Sequence, residues 1–250
     1  MSHEPTIVLV HGAFADASSW NGVVERLLQQ GHHVVAPPNP LRGLAADSAY
    51  IASYISQIDG PIILVGHSYG GAVITNAATK ATNVVGLVFV AAWAPEQDER
   101  LGDLGAGSKE SVLNAALVQR QYPTGRDGET AVEVLINTAL FREAFAADLP
   151  AEQAALMAAT QRPIAAAVFG EASGSPAWKT LPSWAVVGTS DKAIGADLVR
   201  SMARRTGATI VEVNGSHVVM VSQPQAVTDV ILQAVQSVAQ TAAAPTGGTR

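Results

Sequence analysis

The 250 residues of the chain include no cysteine. Disulfides, thiol nucleophiles and thiolate metal sites are therefore excluded. Charge is scarce as well, since Asp, Glu, Lys and Arg make up 14% of the residues against 48% hydrophobic, with a formal net charge of -6. That balance describes a globular protein, and its acidic sign argues against a nucleic-acid partner. No apolar run reaches the roughly 18 residues of a membrane span, so no membrane partner is expected. The first residues offer only Thr6 to Val10 as an apolar run, with neither a basic lead-in nor a cleavage site, and the expectation is a cytoplasmic protein without a signal peptide. No cluster of side chains has metal-ligand spacing, and nothing in the pattern calls for a cofactor.

What the chain does have is a regular alternation. Thr6 to Val10, Val34 to Ala36, Ile62 to Val65, Val84 to Val90, Trp184 to Val187 and Ile210 to Val213 are short β-branched runs with little polar alternation, the pattern of strands buried on both faces of a parallel sheet. Helical patterns lie between and after them, at Trp20 to Gln30, Asp47 to Ile58, Gly70 to Ala81, Ala196 to Arg205 and Pro224 to Gln236. The fold class is thus α/β, with a mainly parallel six-stranded sheet flanked by helices. Between Pro95 and Trp178 the beat breaks into helix-like patterns without a convincing strand. A core of residues 1–94 and 179–240 with a helical cap at 95–178 is expected, followed by a flexible tail at 241–250.

The most specific segment is Gly66-His67-Ser68-Tyr69-Gly70-Gly71, in which a serine stands between glycines where an apolar strand gives way to a helix. Gly-x-Ser-x-Gly is weak by itself, and the strand before and helix after make it a nucleophile elbow. A serine hydroxyl needs a base, and the base needs a third group to fix its tautomer. Of the six histidines only His217 follows Ser68, and it comes just after the last strand pattern, so it is the expected base. Asp191, just beyond the Trp184 to Val187 run, is the candidate acid, with Glu96 and Asp98 as rivals heading into the cap. The oxyanion of a tetrahedral intermediate requires amide donors. Tyr69, after the nucleophile, is one candidate, and Ala13, in His11-Gly12-Ala13-Phe14, is the other, favoured over Phe14. His11 is expected to brace that loop and His67 to support the elbow. Phe14, Tyr122 and Val218 are candidates for binding a substrate.

These segments, with Ser190-Asp191-Lys192 and Gly215-Ser216-His217, resemble the α/β-hydrolase superfamily, most of all the small bacterial pyrethroid or carboxylester hydrolases related to plant methylesterases and hydroxynitrile lyases. The resemblance implies an oxyanion loop at His11 to Phe14, a Ser68, Asp191 and His217 triad, no cofactor, and a small-molecule ester as substrate. It also implies a sheet without the first antiparallel hairpin of the larger fold. Lyases of this kind carry a lysine after the catalytic histidine and a threonine in the oxyanion loop. Val218 and Gly12 stand there, which favours carboxylesterase activity. A lyase or perhydrolase activity on the same site, or a hydrolase-like small-molecule receptor with little turnover, are the alternatives.

Overall fold

The β-branched runs pair side by side because each is apolar on both faces and can be buried only between layers of helix. The computed structural model describes residues 4–243. Its first half runs β1 (Thr6–Val10), α1 (Asn21–Gln29), β2 (Val34–Val35), α2 (Leu44–Ile55), β3 (Ile62–His67), α3 (Tyr69–Ala77) and β4 (Val84–Val90). All six residues of β3 are buried. There follow α4 (Leu101–Ala106), α5 (Leu113–Ala116), β5 (Leu117–Pro123), β6 (Thr130–Ile136), α6 (Phe141–Phe145), α7 (Ala151–Thr160) and β7 (Ile164–Ala165). The chain then returns to the main sheet with β8 (Ser183–Gly188), α8 (Ala196–Arg205), β9 (Thr209–Val213), α9 (Val219–Ser222) and α10 (Pro224–Ala243).

The six-stranded sheet has the order β2-β1-β3-β4-β8-β9, and every neighbouring pair in it is parallel. From β1 the chain first moves outward to β2 and then crosses back to β3 on the other side. The switch point between β1 and β3 opens a crevice at the carboxyl ends of the strands, where ligands of such sheets bind. Register places the parts precisely enough to matter: Val10 pairs with Gly66, so the His11 to Phe14 loop leaves the sheet beside the serine turn. Gly188 pairs with Val213 at the other side, which brings the Asp191 and His217 loops together.

The segment between β4 and β8 carries the expected helices, and it also carries a three-stranded antiparallel sheet of order β5-β6-β7. The expectation of a purely helical insertion without strands is corrected by this sheet. β5 escapes a pattern search because it lies at the sheet's edge and most of its residues are exposed, so polar side chains occur on both faces. At the C-terminus α10 extends to Ala243, so the first part of the anticipated flexible tail is helical, and 244–250 lie outside the described residues. Among the described residues no helix is long and apolar enough to cross a membrane.

Candidate active site

The turn from β3 into α3 holds Ser68 at φ 53° and ψ -123°. A non-glycine residue in that region costs on the order of 1–3 kcal/mol, and it persists only where its surroundings over-determine it. Here they do. The Ser68 amide donates to the Val90 carbonyl at 3.2 Å, and the Ser68 carbonyl accepts from the Trp93 amide at 3.1 Å and the Gly71 amide at 3.0 Å. The flanking glycines are sterically required. A Cβ on Gly66 would lie 2.6 Å from the Gly70 backbone, and one on Gly70 would fall onto the Val10 carbonyl oxygen. Ser68 itself is 6% exposed.

The structure brings His217 and Asp191 together. Nδ1 of the imidazole is 2.7 Å from Asp191 Oδ2, with both side chains fully buried. The other carboxylate oxygen accepts the amides of Ala193 at 2.8 Å and Ile194 at 3.1 Å. Because a carboxylate only accepts, Nδ1–H donates to it, and in the neutral ring this leaves Nε2 as the acceptor. The ring packs against Phe145 at 4.9 Å and His67 at 4.8 Å between centroids. Among the described residues no hydrogen bond joins Ser68 Oγ to that ring. Such contacts are often long before substrate binds. Of the rival acids, Glu96 is paired with Lys179 at 2.7 Å, and Asp98 is exposed.

The loop after β1 is held by its own histidine. His11 Nδ1–H donates to the Gly12 carbonyl at 2.9 Å, while Nε2 accepts the Asn39 amide at 2.9 Å and the Asn39 side chain donates to the His11 carbonyl at 2.9 Å. A proton on Nε2 would face another N–H. Burial, the larger cause, and the nearby Arg162 charge lower the His11 pKa to about 4 against the opposing Gly12 hydrogen bond. Gly12 faces the serine so closely that a Cβ there would lie 2.6 Å from Ser68 Cβ. The Phe14 amide is already used, donating to the Arg162 carbonyl at 3.2 Å. The Ala13 amide has no hydrogen-bond partner among the described residues, and the Tyr69 amide, first in α3, has none within its helix.

Several neighbours carry no motif and were not anticipated. Tyr69 donates its hydroxyl to Asp47 Oδ2 at 2.7 Å. Burial keeps the Asp47 carboxyl above its ordinary pKa in spite of the hydrogen bonds from Tyr69 and the Arg42 amide. Asn39 was missed as well. Phe14, at φ 59°, packs edge to face on Phe145 at 6.1 Å. It also lines a cavity of about 390 Å³ with Asp16, Gln153, Leu156, Met157 and Val221, whose lining does not include Ser68, Asp191 or His217. Val218 is fully buried directly after His217. Tyr122 stacks instead on the Arg42 guanidinium, 4.4 Å from its ring; no hydrogen bond or ring contact among the described residues joins it to Ser68, Asp191 or His217. No group of three or more His, Asp or Glu among the described residues stands ready to hold a metal ion.

A sequence model of the alpha/beta hydrolase family matches residues 7–230, a span that includes Ser68, Asp191 and His217. The chain belongs to that family. Among curated proteins, the carbendazim hydrolyzing esterase of Nocardioides sp. strain SG-4G is 33% identical over 107 residues, which are 38% of this chain and 44% of that protein. The chain thus matches less than half the length of this relative. Among solved structures, a pyrethroid hydrolase from Sphingobium faniae JZ-2 superposes with a TM-score of 0.75 at 20% identity, covering 94% of this chain and 99% of that one. Polyneuridine aldehyde esterase gives a TM-score of 0.79 at 19% identity over 93% and 99%. At these identities the two structures establish the shared fold.

Proposed function

We propose that the protein is a serine carboxylesterase acting on small to medium, largely apolar esters. Ser68 Oγ attacks the carbonyl carbon while His217 Nε2 takes its proton, and the same proton then passes to the departing alcohol. The Ala13 and Tyr69 amides receive the oxyanion. Water, giving up a proton to His217, attacks the acyl-enzyme, and His217 returns that proton to Ser68 Oγ as the acyl–oxygen bond breaks and the acid leaves. Asp191 fixes the tautomer and stabilises the imidazolium. The observation that carries this reading is the fully buried 2.7 Å contact between His217 Nδ1 and Asp191 Oδ2 at the end of the sheet where Ser68 is held in a strained turn.

In this reading residues 1–94 and 179–240 form the core, and 95–178 serve as a cap whose Phe145 covers the His217 ring. Phe14 and Val218 supply apolar wall. The curated Nocardioides relative, named as an esterase, supports the class of reaction. The lyase alternative is not favoured, because the residue after His217 is a buried valine and a side chain on Gly12 would collide with Ser68. A cyanide anion would have no charged partner at Val218.

The test is turnover of p-nitrophenyl butyrate by the wild type and by Ser68→Ala, with mass spectrometry after treatment with a fluorophosphonate. The expected result is a loss of at least about a thousandfold in kcat, and a phosphonyl adduct on the peptide containing Ser68. Undiminished turnover in Ser68→Ala would remove the serine mechanism. A wild type that is labelled but turns over no ester would favour the receptor reading, and release of cyanide from a cyanohydrin the lyase.

A further inference from the structure

The loop that carries His217 is gripped from outside the core by one carboxylate. Asp148 lies in the turn after α6, and its Oδ2 accepts the Ser216 amide at 3.0 Å while its Oδ1 accepts the Ser216 hydroxyl in a very short hydrogen bond. The same oxygen Oδ2 lies so close to the loop that a Cβ on Gly215 would come within 3.3 Å of it. Ser216 is 2% exposed, whereas Asp148 is exposed. A charged acceptor at the rim thus reaches down to two donors of a buried residue, and such charge-assisted bonds are about twice as strong as neutral ones. Burial raises the Asp148 carboxyl, but the hydroxyls of Ser216 and Ser222 together with the Ser216 and Asp148 amides outweigh it and hold the group below its ordinary pKa.

The same turn makes a second contact with the base. Phe145 sets its ring 4.9 Å from the His217 ring, and its carbonyl oxygen is 3.4 Å from Ser216 Oγ. On the opposite side the Gly215 carbonyl accepts the Ser190 amide at 3.0 Å, next to Asp191. The acid therefore aligns the imidazole edge from the core, while Phe145 and Asp148 fix the ring face and the preceding backbone from the inserted segment.

We propose that Asp148 is a positioning residue for the base: it sets the position of His217 through Ser216, so that the inserted segment aligns the proton-transfer step as well as covering the site. The inference rests on the esterase reading given above, in which His217 is the base. It concerns alignment and not substrate affinity, so its signature is a change in kcat at nearly constant KM. A tilt of the ring by a fraction of an ångström is enough to matter, because proton transfer needs the base within hydrogen-bond reach of the serine hydroxyl.

The experiment compares the wild type with Asp148→Asn, Ser216→Ala and the double variant in hydrolysis of p-nitrophenyl butyrate. Rates are counted per active site titrated with a fluorophosphonate, and Tm is followed for each protein. Expected are a fall of about 10- to 100-fold in kcat for Asp148→Asn with KM within about twofold, a smaller fall for Ser216→Ala, and a double variant no slower than Asp148→Asn. The rate of Ser68 labelling by the fluorophosphonate should fall in parallel, a readout independent of which ester is chosen. Unchanged kcat per titrated site, or an effect confined to Tm or to KM, would overturn the inference. Additive losses in the double variant would overturn it too, since the two residues would then act separately. Loss of turnover in Ser68→Ala with full activity in Asp148→Asn would sink this inference alone; turnover surviving in Ser68→Ala would sink the esterase reading.

Discussion

His67 donates its Nε2–H to the carbonyl oxygen of His217 across 3.0 Å. The residue before the proposed nucleophile thereby holds the backbone of the proposed base. Both rings are buried, and burial, with the neighbouring imidazole second, drives the His67 pKa well below its ordinary value. His67→Phe keeps the aromatic volume and removes the donor, leaving a buried carbonyl unpaired. A loss of about 1–3 kcal/mol in urea unfolding is expected, together with a lower kcat as the base loses its anchor. Unfolding curves and kinetics on the same preparation check both parts.

Replacing the acid separates it from its rivals. Asp191→Asn should hold His217 in the wrong tautomer and lower kcat by about a thousandfold or more while Tm changes little. Glu96→Gln, which only loosens a surface pair with Lys179, should stay near wild-type activity. Steady-state kinetics on the two variants decide the assignment.

Acid should unfold the protein in part through His11. Its folded pKa of about 4 lies below the ordinary 6.5, so the unfolded chain takes up the proton first as pH falls. Stability is therefore full above about pH 6.5 and declines toward pH 4, approaching about 1.4 kcal/mol per pH unit for this one group. The buried His67 adds a loss of the same sign. In His11→Asn the drop in unfolding free energy between pH 7 and pH 5 should shrink by about 2 kcal/mol, measured by urea titration at each pH.

A chain-length series tests whether the acyl chain occupies the cavity lined by Phe14, Leu156, Met157 and Val221, which lies beside Phe14 and does not include Ser68 in its lining. Across p-nitrophenyl esters from acetate upward, kcat/KM is expected to gain up to about 0.8 kcal/mol of transition-state binding per methylene until the space fills. A hemisuccinate ester should be a poorer substrate than its uncharged counterpart, because a carboxylate would be desolvated without an assured partner. A flat profile, or a preference for the charged ester, would place the substrate class elsewhere.

The main sheet was legible because parallel strands buried on both faces read as plain apolar runs, and the serine turn because its glycines are dictated by backbone clashes. β5 was hidden by exposed residues such as Gln119 and Arg120, although its hairpin left a sign: Gly125 and Gly128, both at positive φ, bracket the turn into the β-branched start of β6. Asp47 reads as the start of a helix, yet α2 begins at Leu44 and the carboxylate serves the Arg42 amide and the Tyr69 hydroxyl. Asn39, Asp47 and Asp148 could not be found by spacing. Their partners are 28, 22 and 68 residues away in the chain, and only the fold brings them near.

The pairing of β4 with β8 has a consequence for how the chain is made. Strands β1 to β4 are neighbours in sequence and can assemble as soon as they leave the ribosome, with Ser68 already at its turn. β8 can add to the exposed edge of β4 only after the whole inserted segment has been synthesised, and closing so long a loop is the slow kind of step. Until then β4 presents an open, apolar edge, the sort of surface that draws other chains. The proposed base arrives later still, on the loop beyond β9. A nascent chain therefore carries its serine long before anything can activate it, and stalling or cleavage within the insertion should yield a sticky fragment with no power to acylate itself.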